Sequence, residues 1–173
     1  MAEEADFSDF VSARSTSLLR VAYLLTRDAD LAQDLVQVAL AKAWLAWGRL
    51  VDDPEAYVRR ILYTTYATWW RRRWRTETPT ESLPERSEQI DFTDLASNRF
   101  VVADALAQLP RRQRAVVVLR YFEDLTELDT ARVLGCSVGT VKSQCSKALQ
   151  RLRVDVSLSA AADGSSGGIV VEG

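Results

Sequence analysis

The sequence predicts an all-α protein of two small helical modules joined by an acidic, flexible linker. Glycine and proline are scarce before residue 154, which favours long helices over β-hairpins. Apolar side chains recur at helical spacing on both sides of one polar segment rich in Ser, Thr, Pro and acids. Because that segment has few large apolar side chains to bury, it is typical of an extended connection between two packed units.

The first module is predicted to occupy residues 1–75 and to contain three helices. Asp30 is a favourable N-cap for the second helix, with Gln33 placed three residues later as in a capping box. Asp53 can cap the third helix, and Pro54 follows it at the first helical position. The predicted helices span, in order, residues 7–25, 31–47 and 54–75.

The linker is predicted at residues 76–94 and the second module at 95–153. Thr126 begins a short helix with a capping-box-like pattern, and Ser137 is the expected N-cap of the last helix. The predicted helices span residues 95–108, 110–122, 126–134 and 138–153. Residues 154–173 are rich in Gly, Ser and Ala without a period, so we expect a disordered tail.

The charges of the chain are segregated, although 22 Lys and Arg nearly balance 24 Asp and Glu. Residues 57–76 contain 6 Arg and no acid, and residues 107–153 contain 9 basic and 4 acidic side chains. Acidic segments precede, separate and follow these two basic ones. This distribution indicates two contacts with polyanions that are held apart by a spacer, although solvated helix faces could also produce it.

The composition excludes several classes of function. The 173 residues include no histidine, which rules out Ser-His-Asp or Cys-His catalysis and histidine ligation of a metal. Cys136 and Cys145 are too few for a disulfide framework or a four-thiolate zinc site, and we interpret both as packing residues. The N-terminus lacks the features of a secretory signal and no stretch is long and apolar enough to span a membrane, so we expect a cytoplasmic protein.

Residues 126–134 and 138–153, joined by a three-residue turn, have the dimensions of a helix-turn-helix. On a helical projection the second segment has one apolar side: Val138, Val141, Cys145, Ala148, Leu149 and Leu152. The opposite side carries polar and cationic groups without an acid: Thr140, Ser143, Gln144, Lys147 and Arg151. Such groups can bind base edges and phosphates in the major groove, and Lys142, beside the apolar side, is assigned to a phosphate.

The predicted helix 54–75 has two apolar stripes. The first, assigned to the core, consists of Val58, Ile61, Leu62, Thr65 and Trp69. The second is aromatic and has arginines beside it: Tyr63, Tyr66, Trp70 and Trp74, with Arg59, Arg60, Arg71 and Arg73. Unstacked bases could lie on such rings while the cations bind the backbone. The same pattern is expected if the aromatic residues pack in the core and only the arginines reach solvent.

Three stretches, 18–44, 52–75 and 106–153, resemble the bacterial extracytoplasmic-function sigma factors of RNA polymerase, in particular their SigE-like actinobacterial subgroup. They contain the motif DLVQ, the aromatic and arginine-rich helix, and the run from YFEDLT to LGCSVGTVKSQ. Together they cover over half of the chain, in the order and spacing of the family, and the last run is highly specific.

The resemblance implies a role for each module. The first is sigma region 2, in which Asp34, Leu35 and Gln37 dock on the clamp of the polymerase β′ subunit. Its third helix binds and helps to melt the −10 element through Arg59, Arg60, Tyr63, Thr64, Tyr66, Trp70, Arg71, Arg73 and Trp74. The second is sigma region 4, which reads the −35 element with Thr140, Lys142, Ser143, Gln144, Lys147 and Arg151, and which also meets the β flap.

The resemblance also sets the expected partners, which are the RNA polymerase core and promoter DNA, with an anti-sigma factor as a further candidate. It implies no catalytic activity, metal, cofactor, small-molecule substrate or membrane contact. Two positions depart from the family pattern. Val38 stands where an acid is usual, which could weaken a polar contact to the clamp, and Thr64 replaces a common Asn, which leaves the −10 sequence preference open.

The sequence argues against two other functions. A stand-alone helix-turn-helix regulator would need a dimerisation segment to read a palindrome, and no such segment or ligand-sensing domain is evident. An enzyme acting on nucleic acid would need clustered carboxylates for a metal or a general base, whereas the acids of this chain are scattered.

Overall fold

The computed structural model describes residues 2–49, 53–76 and 98–164, and the side chains of residues 3–49, 53–72 and 103–153. Regular structure in these ranges is entirely helical, in agreement with the predicted fold class. The elements are α1 (Ala2–Thr26), α2 (Ala29–Ala46), a 3₁₀ turn (Trp47–Arg49), α3 (Pro54–Thr76), α4 (Asn98–Ala107), α5 (Arg111–Val117) with a π-helical extension (Val118–Phe122), α6 (Glu127–Leu134) and α7 (Val138–Gly164).

Helices α1, α2 and α3 form the first helical group. Its centre consists of leucines without solvent exposure, among them Leu18, Leu35 and Leu62. At one end, the Trp47 ring lies 4.9 Å from the ring of Phe7 and 5.1 Å from that of Phe10. Burying a leucine side chain stabilises a protein by roughly 1.5–3 kcal/mol, so these leucines contribute to holding the three helices together.

The N-caps of this group agree with the prediction at one helix and differ at the other. The amide of Ala56 donates to Asp53 Oδ1 at 3.0 Å, which confirms the cap of α3. The cap of α2 is Asp28, whose Oδ1 accepts from the amide of Leu31 at 3.0 Å, so the assignment to Asp30 was wrong. Arg27 has a φ of 55° and reverses the chain directly after α1, which brings Asp28 to the cap position two residues early.

Helices α5, α6 and α7 form the second helical group, together with α4. The side chains of Val116, Ala131 and Val141 meet in a small core between them. Both predicted caps are confirmed. Thr126 Oγ1 accepts from the amide of Asp129 at 3.0 Å, and Ser137 Oγ accepts from the amide of Thr140 at 3.1 Å. Helices α6 and α7 with the turn between them therefore form the expected helix-turn-helix.

The segment predicted as a single helix over residues 110–122 is helical, but it changes from an α-helix to a π-helix at Val118. From Val118 onward the helix is π-helical, and the amides of Glu123 and Leu125 donate to the carbonyls of Val118 and Leu119. The guanidinium of Arg120 also donates to the carbonyl of Leu125. These bonds widen the last turn and end the helix at Glu123, whose side chain lies beside α3.

Helix α7 extends to Gly164, eleven residues beyond the end that the sequence predicts for the last helix. That segment contains three consecutive alanines and lacks glycine and proline until Gly164, which suits a continued helix. The rest of the predicted tail, 165–173, and nearly all of the predicted linker, 77–94, lie outside the described residues. In the ranges that are described, no helix is both long and apolar enough to cross a membrane.

The two helical groups pack directly against each other. Tyr63 and Tyr66 of α3 belong to the same buried cluster as Leu106, Leu109 and Val118 of the second group. Helix α3 contacts α6, and α1 contacts α5 and the π-helical turn. The second side of α3 is consequently covered by protein.

Replacing Gly135 in the turn of the helix-turn-helix by alanine should lower the free energy of unfolding by about 1–2 kcal/mol. Gly135 has a φ of 67°, and a Cβ there would lie 2.6 Å from Nη1 of Arg71. Asparagine tolerates this backbone conformation better, so Gly135→Asn should cost less. Urea denaturation of both variants measures the difference, and equal stability of Gly135→Ala and the parent chain would contradict it.

Candidate nucleic-acid interface

The outer side of α7 has the character that the sequence predicts. Ser143, Lys147 and Arg151 are exposed, while Thr140 and Gln144 are half-buried. On the inner side, Val141 and Ala148 have no solvent exposure. Because residues 138–153 contain no acid, the outer side presents only hydrogen-bonding and cationic groups. This is the composition that base edges and phosphates require.

Two residues of α7 also contact the neighbouring structure. The hydroxyls of Thr140 and Ser137 lie 2.9 Å apart and share a hydrogen bond at the helix start. Lys142 Nζ lies 3.8 Å from Glu127 Oε2 of α6, so Lys142 is directed away from the centre of the outer side. Such a position at the edge suits a phosphate contact better than a base contact.

The first stripe of α3 packs within its own helical group, as predicted. Val58 and Leu62 have no solvent exposure, and Thr65 is also buried. Lys42 of α2 donates from Nζ to Thr65 Oγ1 at 3.3 Å. Trp69 is only partly buried and packs against the same core. This side of α3 therefore fixes the helix on α1 and α2.

The second stripe of α3 is not an open aromatic surface in this structure. Tyr63 and Tyr66 are each only 4% exposed. The hydroxyl of Tyr66 donates to the carbonyl of Leu25 at 3.1 Å, and burial raises the pKa of this phenol. The ring of Trp70, which is half-buried, lies 6.3 Å from that of Tyr66 in an edge-on arrangement. Tyr63 and Tyr66 therefore face protein in this arrangement of the helices, which is the alternative in which the aromatic residues pack in the core.

The second helical group contacts this stripe through Glu123 and Arg111. Nη1 of Arg59 donates to both oxygens of the Glu123 carboxylate, at 2.8 and 3.1 Å, and the hydroxyl of Tyr63 donates to the same carboxylate. The guanidinium of Arg111 lies 4.5 Å above the ring of Trp70. We call these residues, Arg59, Tyr63, Trp70, Arg111 and Glu123, the α3 contact.

The electrostatics of Arg59 and Glu123 are those of a partly buried ion pair. Burial raises the pKa of Glu123, and the attraction of Arg59 offsets this only in part. Burial acts to lower the pKa of Arg59, but Glu123 and Glu55 together raise it above its ordinary value. Desolvation therefore disfavours the charged form of Glu123, whereas pairing with the two carboxylates favours the charged form of Arg59.

The remaining −10 candidates differ in their accessibility. Arg60 and Arg71 are exposed. Thr64 is half-buried, and its hydroxyl donates to the carbonyl of Arg60 at 2.9 Å. The side chains of Arg73 and Trp74 lie outside the described residues. Arg60 and Arg71 are therefore the candidate cations of this set that solvent reaches in the described part of α3.

The candidates on α2 for polymerase binding separate into two kinds. Asp34 and Gln37 are exposed, whereas Leu35 is completely buried and packs in the core of the first helical group. A residue next to Asp34 is turned by about 100° around the helix, and this places Leu35 in the core.

Two large side chains of α2 are also exposed but were not predicted as surface residues: Trp44 is 42% exposed and Leu45 is 77% exposed. Leu45 lies about three turns after Asp34 on the same side of α2, and this spacing could have revealed it.

Sequence reasoning also missed Glu123 and Arg111. Glu123 follows Arg59 by 64 positions, and no local periodicity connects them.

In the part of the chain with described side chains, no group of three or more His, Cys, Asp or Glu residues is placed to hold a metal ion. The described residues of these sites offer charge, hydrogen-bonding groups and aromatic rings.

Both halves of the chain match known families. The family model described as sigma-70 region 2 matches residues 10–76, and the model described as sigma-70, region 4 matches residues 99–152. The RNA polymerase sigma-E factor of Streptomyces coelicolor is 42% identical over 158 residues, which cover 90% of this chain and 89% of that protein. The ECF RNA polymerase sigma factor SigL of Mycobacterium tuberculosis is 34% identical over 161 residues, with coverage of 88% and 90%.

A solved structure has a similar fold along most of its length. The sigma factor RpoE from Bartonella quintana, in a co-crystal with the anti-sigma factor NepR, superposes on this chain with a TM-score of 0.56 at 26% identity. The match covers 86% of this chain and 94% of the Bartonella chain.

Proposed function

The chain belongs to the extracytoplasmic-function sigma factors of the sigma-70 family, and from this premise we propose which of its surfaces performs each task of such a factor. A sigma factor binds the RNA polymerase core, recognises the −35 and −10 promoter elements, helps to melt the −10 region and directs transcription initiation. The observation that carries the proposal is the acid-free outer side of α7, opposite a buried side in a helix-turn-helix.

Helix α7 reads the −35 element as duplex DNA. Gln144 can form a bidentate bond with adenine, and Lys147 can bind guanine, while Ser143 and Thr140 bond to either base edges or phosphates. Arg151 and Lys142 bind phosphates at the ends and edge of the contact. The fully buried Val141 and Ala148 hold the helix in place behind these groups.

Helix α3 binds the −10 element once that surface is uncovered. Arg60 and Arg71 are already exposed and can bind phosphates. Trp70 offers a ring on which an unpaired base can stack, which contributes roughly 1–3 kcal/mol per base. A duplex cannot stack its bases on this ring, so binding favours the open form and shifts the equilibrium towards melting.

Helix α2 docks on the β′ clamp of the polymerase core. Asp34 and Gln37 supply the polar contacts, and the exposed Trp44 and Leu45 extend the same surface with apolar area. Val38 on this helix cannot make the polar contact that an acid in its place would make. Apolar area next to the polar groups would compensate for that loss.

The second helical group contacts the β flap through a separate apolar surface. Tyr121, Phe122 and Leu128 are large side chains that are exposed. They lie on the π-helical turn and the start of α6, and none is among the −35 candidates of α7. Large exposed side chains of this kind are typical of a protein interface.

Two further proposals follow from the relatives. Because the Bartonella relative was solved with an anti-sigma factor, we propose that an anti-sigma protein also regulates this chain. Its proposed partners, polymerase and promoter DNA, place its site of action in the cytoplasm. Its relatives are named as sigma factors, so we propose that the chain acts by binding and carries no catalysis of its own.

The chain should direct promoter-dependent run-off transcription when it is added to actinobacterial core polymerase and a library of promoter templates. Reversing the charge of Asp34 with arginine should reduce core affinity about tenfold, because a polar contact becomes a repulsion. Asp9→Arg, an equal change at an exposed position of α1, serves as the control. Specific binding of palindromic DNA by a dimer, without any transcript, would instead support a stand-alone regulator.

Gln144→Ala and Lys147→Ala should each relax the preference at one position of the −35 element. Losing a bidentate base contact typically costs about 1–3 kcal/mol of discrimination. Sequencing of transcripts from a promoter library measures this preference. Ser146→Ala, at an exposed position on another side of α7, should leave it unchanged. An identical base preference in all three variants would remove Gln144 and Lys147 from the reading surface.

Trp70→Ala should impair formation of the open complex more strongly than recruitment of polymerase to the promoter. The alanine side chain has no ring on which an unpaired base can stack, whereas Trp70→Phe keeps a flat ring and should retain most of the activity. Permanganate footprinting reports the open bubble, and a gel shift reports recruitment. If the Trp70→Ala bubble equals that of the parent chain, the stacking role is wrong.

A further inference from the structure

A cavity of about 60 Å³ lies where the end of α1, the start of α2, the second half of α3 and the start of α5 meet. Its floor consists of Leu25 and Tyr66, which are almost completely buried. Leu31, Trp69 and Trp70 line the sides and are half-buried, so the cavity opens to solvent. Two indole rings and two leucines thus give the cavity a largely apolar wall.

The hydroxyl groups in the wall are already bonded to the backbone. The Tyr66 hydroxyl donates to the carbonyl of Leu25 at 3.1 Å, and the Thr26 hydroxyl donates to the carbonyl of Ala22 at 2.9 Å. A polar group deep in the cavity would lose water without gaining a donor from these hydroxyls. The inner part of the cavity therefore favours an apolar group, and the indoles favour a flat ring that can pack against them.

Arg111 supplies the only charge in the lining. Its guanidinium lies 4.5 Å from the ring of Trp70, and among the described residues no carboxylate pairs with it. By contrast, Arg59 binds both Glu55 and Glu123. A guanidinium over an aromatic ring can keep the N–H donors of its edge for a planar anion. The cavity thus combines an apolar interior with one cation that has donors to offer.

We propose that this cavity binds a small aromatic carboxylate, with its ring against Trp69, Trp70 and Leu31 and its carboxylate on Arg111. The volume corresponds to about four to six water molecules at roughly 10–15 Å³ each, which suits one six-membered ring. A nucleotide, which consists of a base, a sugar and a phosphate, is too large. The site is additional to the polymerase and DNA surfaces, of which only Trp70 lines the cavity.

A carboxylate matches this single cation better than a phosphate monoester does. Two N–H donors of one guanidinium can bind the two carboxylate oxygens. A phosphate monoester carries about two negative charges at neutral pH, and the lining has no second cation to balance them. The ligand therefore has one ring, one carboxylate and no further charge.

Binding of a matched pair of probes to the full chain tests this ligand class. The probes are 4-fluorobenzoate and 4-fluorobenzamide, which have the same ring and similar size but differ in charge. Titration followed by ¹⁹F NMR should give a dissociation constant of about 1 mM for the benzoate, as expected of so small a ligand. The benzamide should bind about fivefold more weakly, because it has no charge to pair with Arg111. Equal affinity of the two probes, or no binding of the benzoate at about 10 mM, would overturn the proposal.

Arg111→Met keeps a long side chain but removes the guanidinium. This variant should bind 4-fluorobenzoate about fivefold more weakly and leave 4-fluorobenzamide nearly unchanged, since the amide does not depend on the charge. Arg112→Met removes the same charge from the exposed neighbour, which does not line the cavity, and should change neither probe. Equal weakening in both variants would mean that net charge alone attracts the benzoate, and the proposed site would then be wrong.

Leu31→Phe places a larger side chain in the cavity and should abolish binding of both probes. Gln33→Phe introduces the same side chain at an exposed position of α2 and should bind both probes like the parent chain. Circular dichroism checks that the variants are folded, and Arg111→Met is the independent variant if Leu31→Phe is not. Binding of the benzoate by folded Leu31→Phe with unchanged affinity would contradict the location. The assays contain neither polymerase nor DNA, so their failure is distinguishable from failure in run-off transcription.

Discussion

The arrangement of the molecule depends on a single helix that must bury apolar side chains on two sides. One side of α3 packs on α1 and α2 through Val58, Leu62 and Thr65. The other side carries Tyr63 and Tyr66, whose rings are too large to leave in water without a cost. In the absence of a ligand, the second helical group supplies the partner that covers them. Both the packing of the groups and the accessibility of the proposed DNA surfaces follow from this requirement.

The polar residues at the boundary of the two groups decide how firmly they are joined. Placing Glu123 between Arg59 and Tyr63 adds directional bonds, but it also adds the desolvation of a carboxylate. The π-helical turn is what brings Glu123 to this position, since it ends the helix there. The π-helical turn of the second group thereby determines which side chain contacts α3 of the first group.

Local interactions explain why much of the fold could be predicted. Asp53, Thr126 and Ser137 were recognisable as caps because a cap needs only its own side chain and the amide three residues later. The inner side of α7 was recognisable because its apolar residues repeat with the period of the helix. The cap at Asp30 failed because the left-handed Arg27 moved the turn, and no pattern in the sequence requires that conformation. Residues 154–164 continue α7 beyond its predicted end, which agrees with the helix propensity of their three consecutive alanines.

The sequence by itself determined the helices, most of their caps and the polar composition of the α7 surface, together with the resemblance that indicates the family. It left open whether the aromatic side of α3 faces a ligand or protein, because one periodic pattern is compatible with either. Only the tertiary structure decided this, by bringing Glu123 and Arg111 against residues about 60 and 40 positions earlier in the chain. Local periodicity carries no information about such a pairing, since it depends on how separate helices pack and on the charges that packing removes from water.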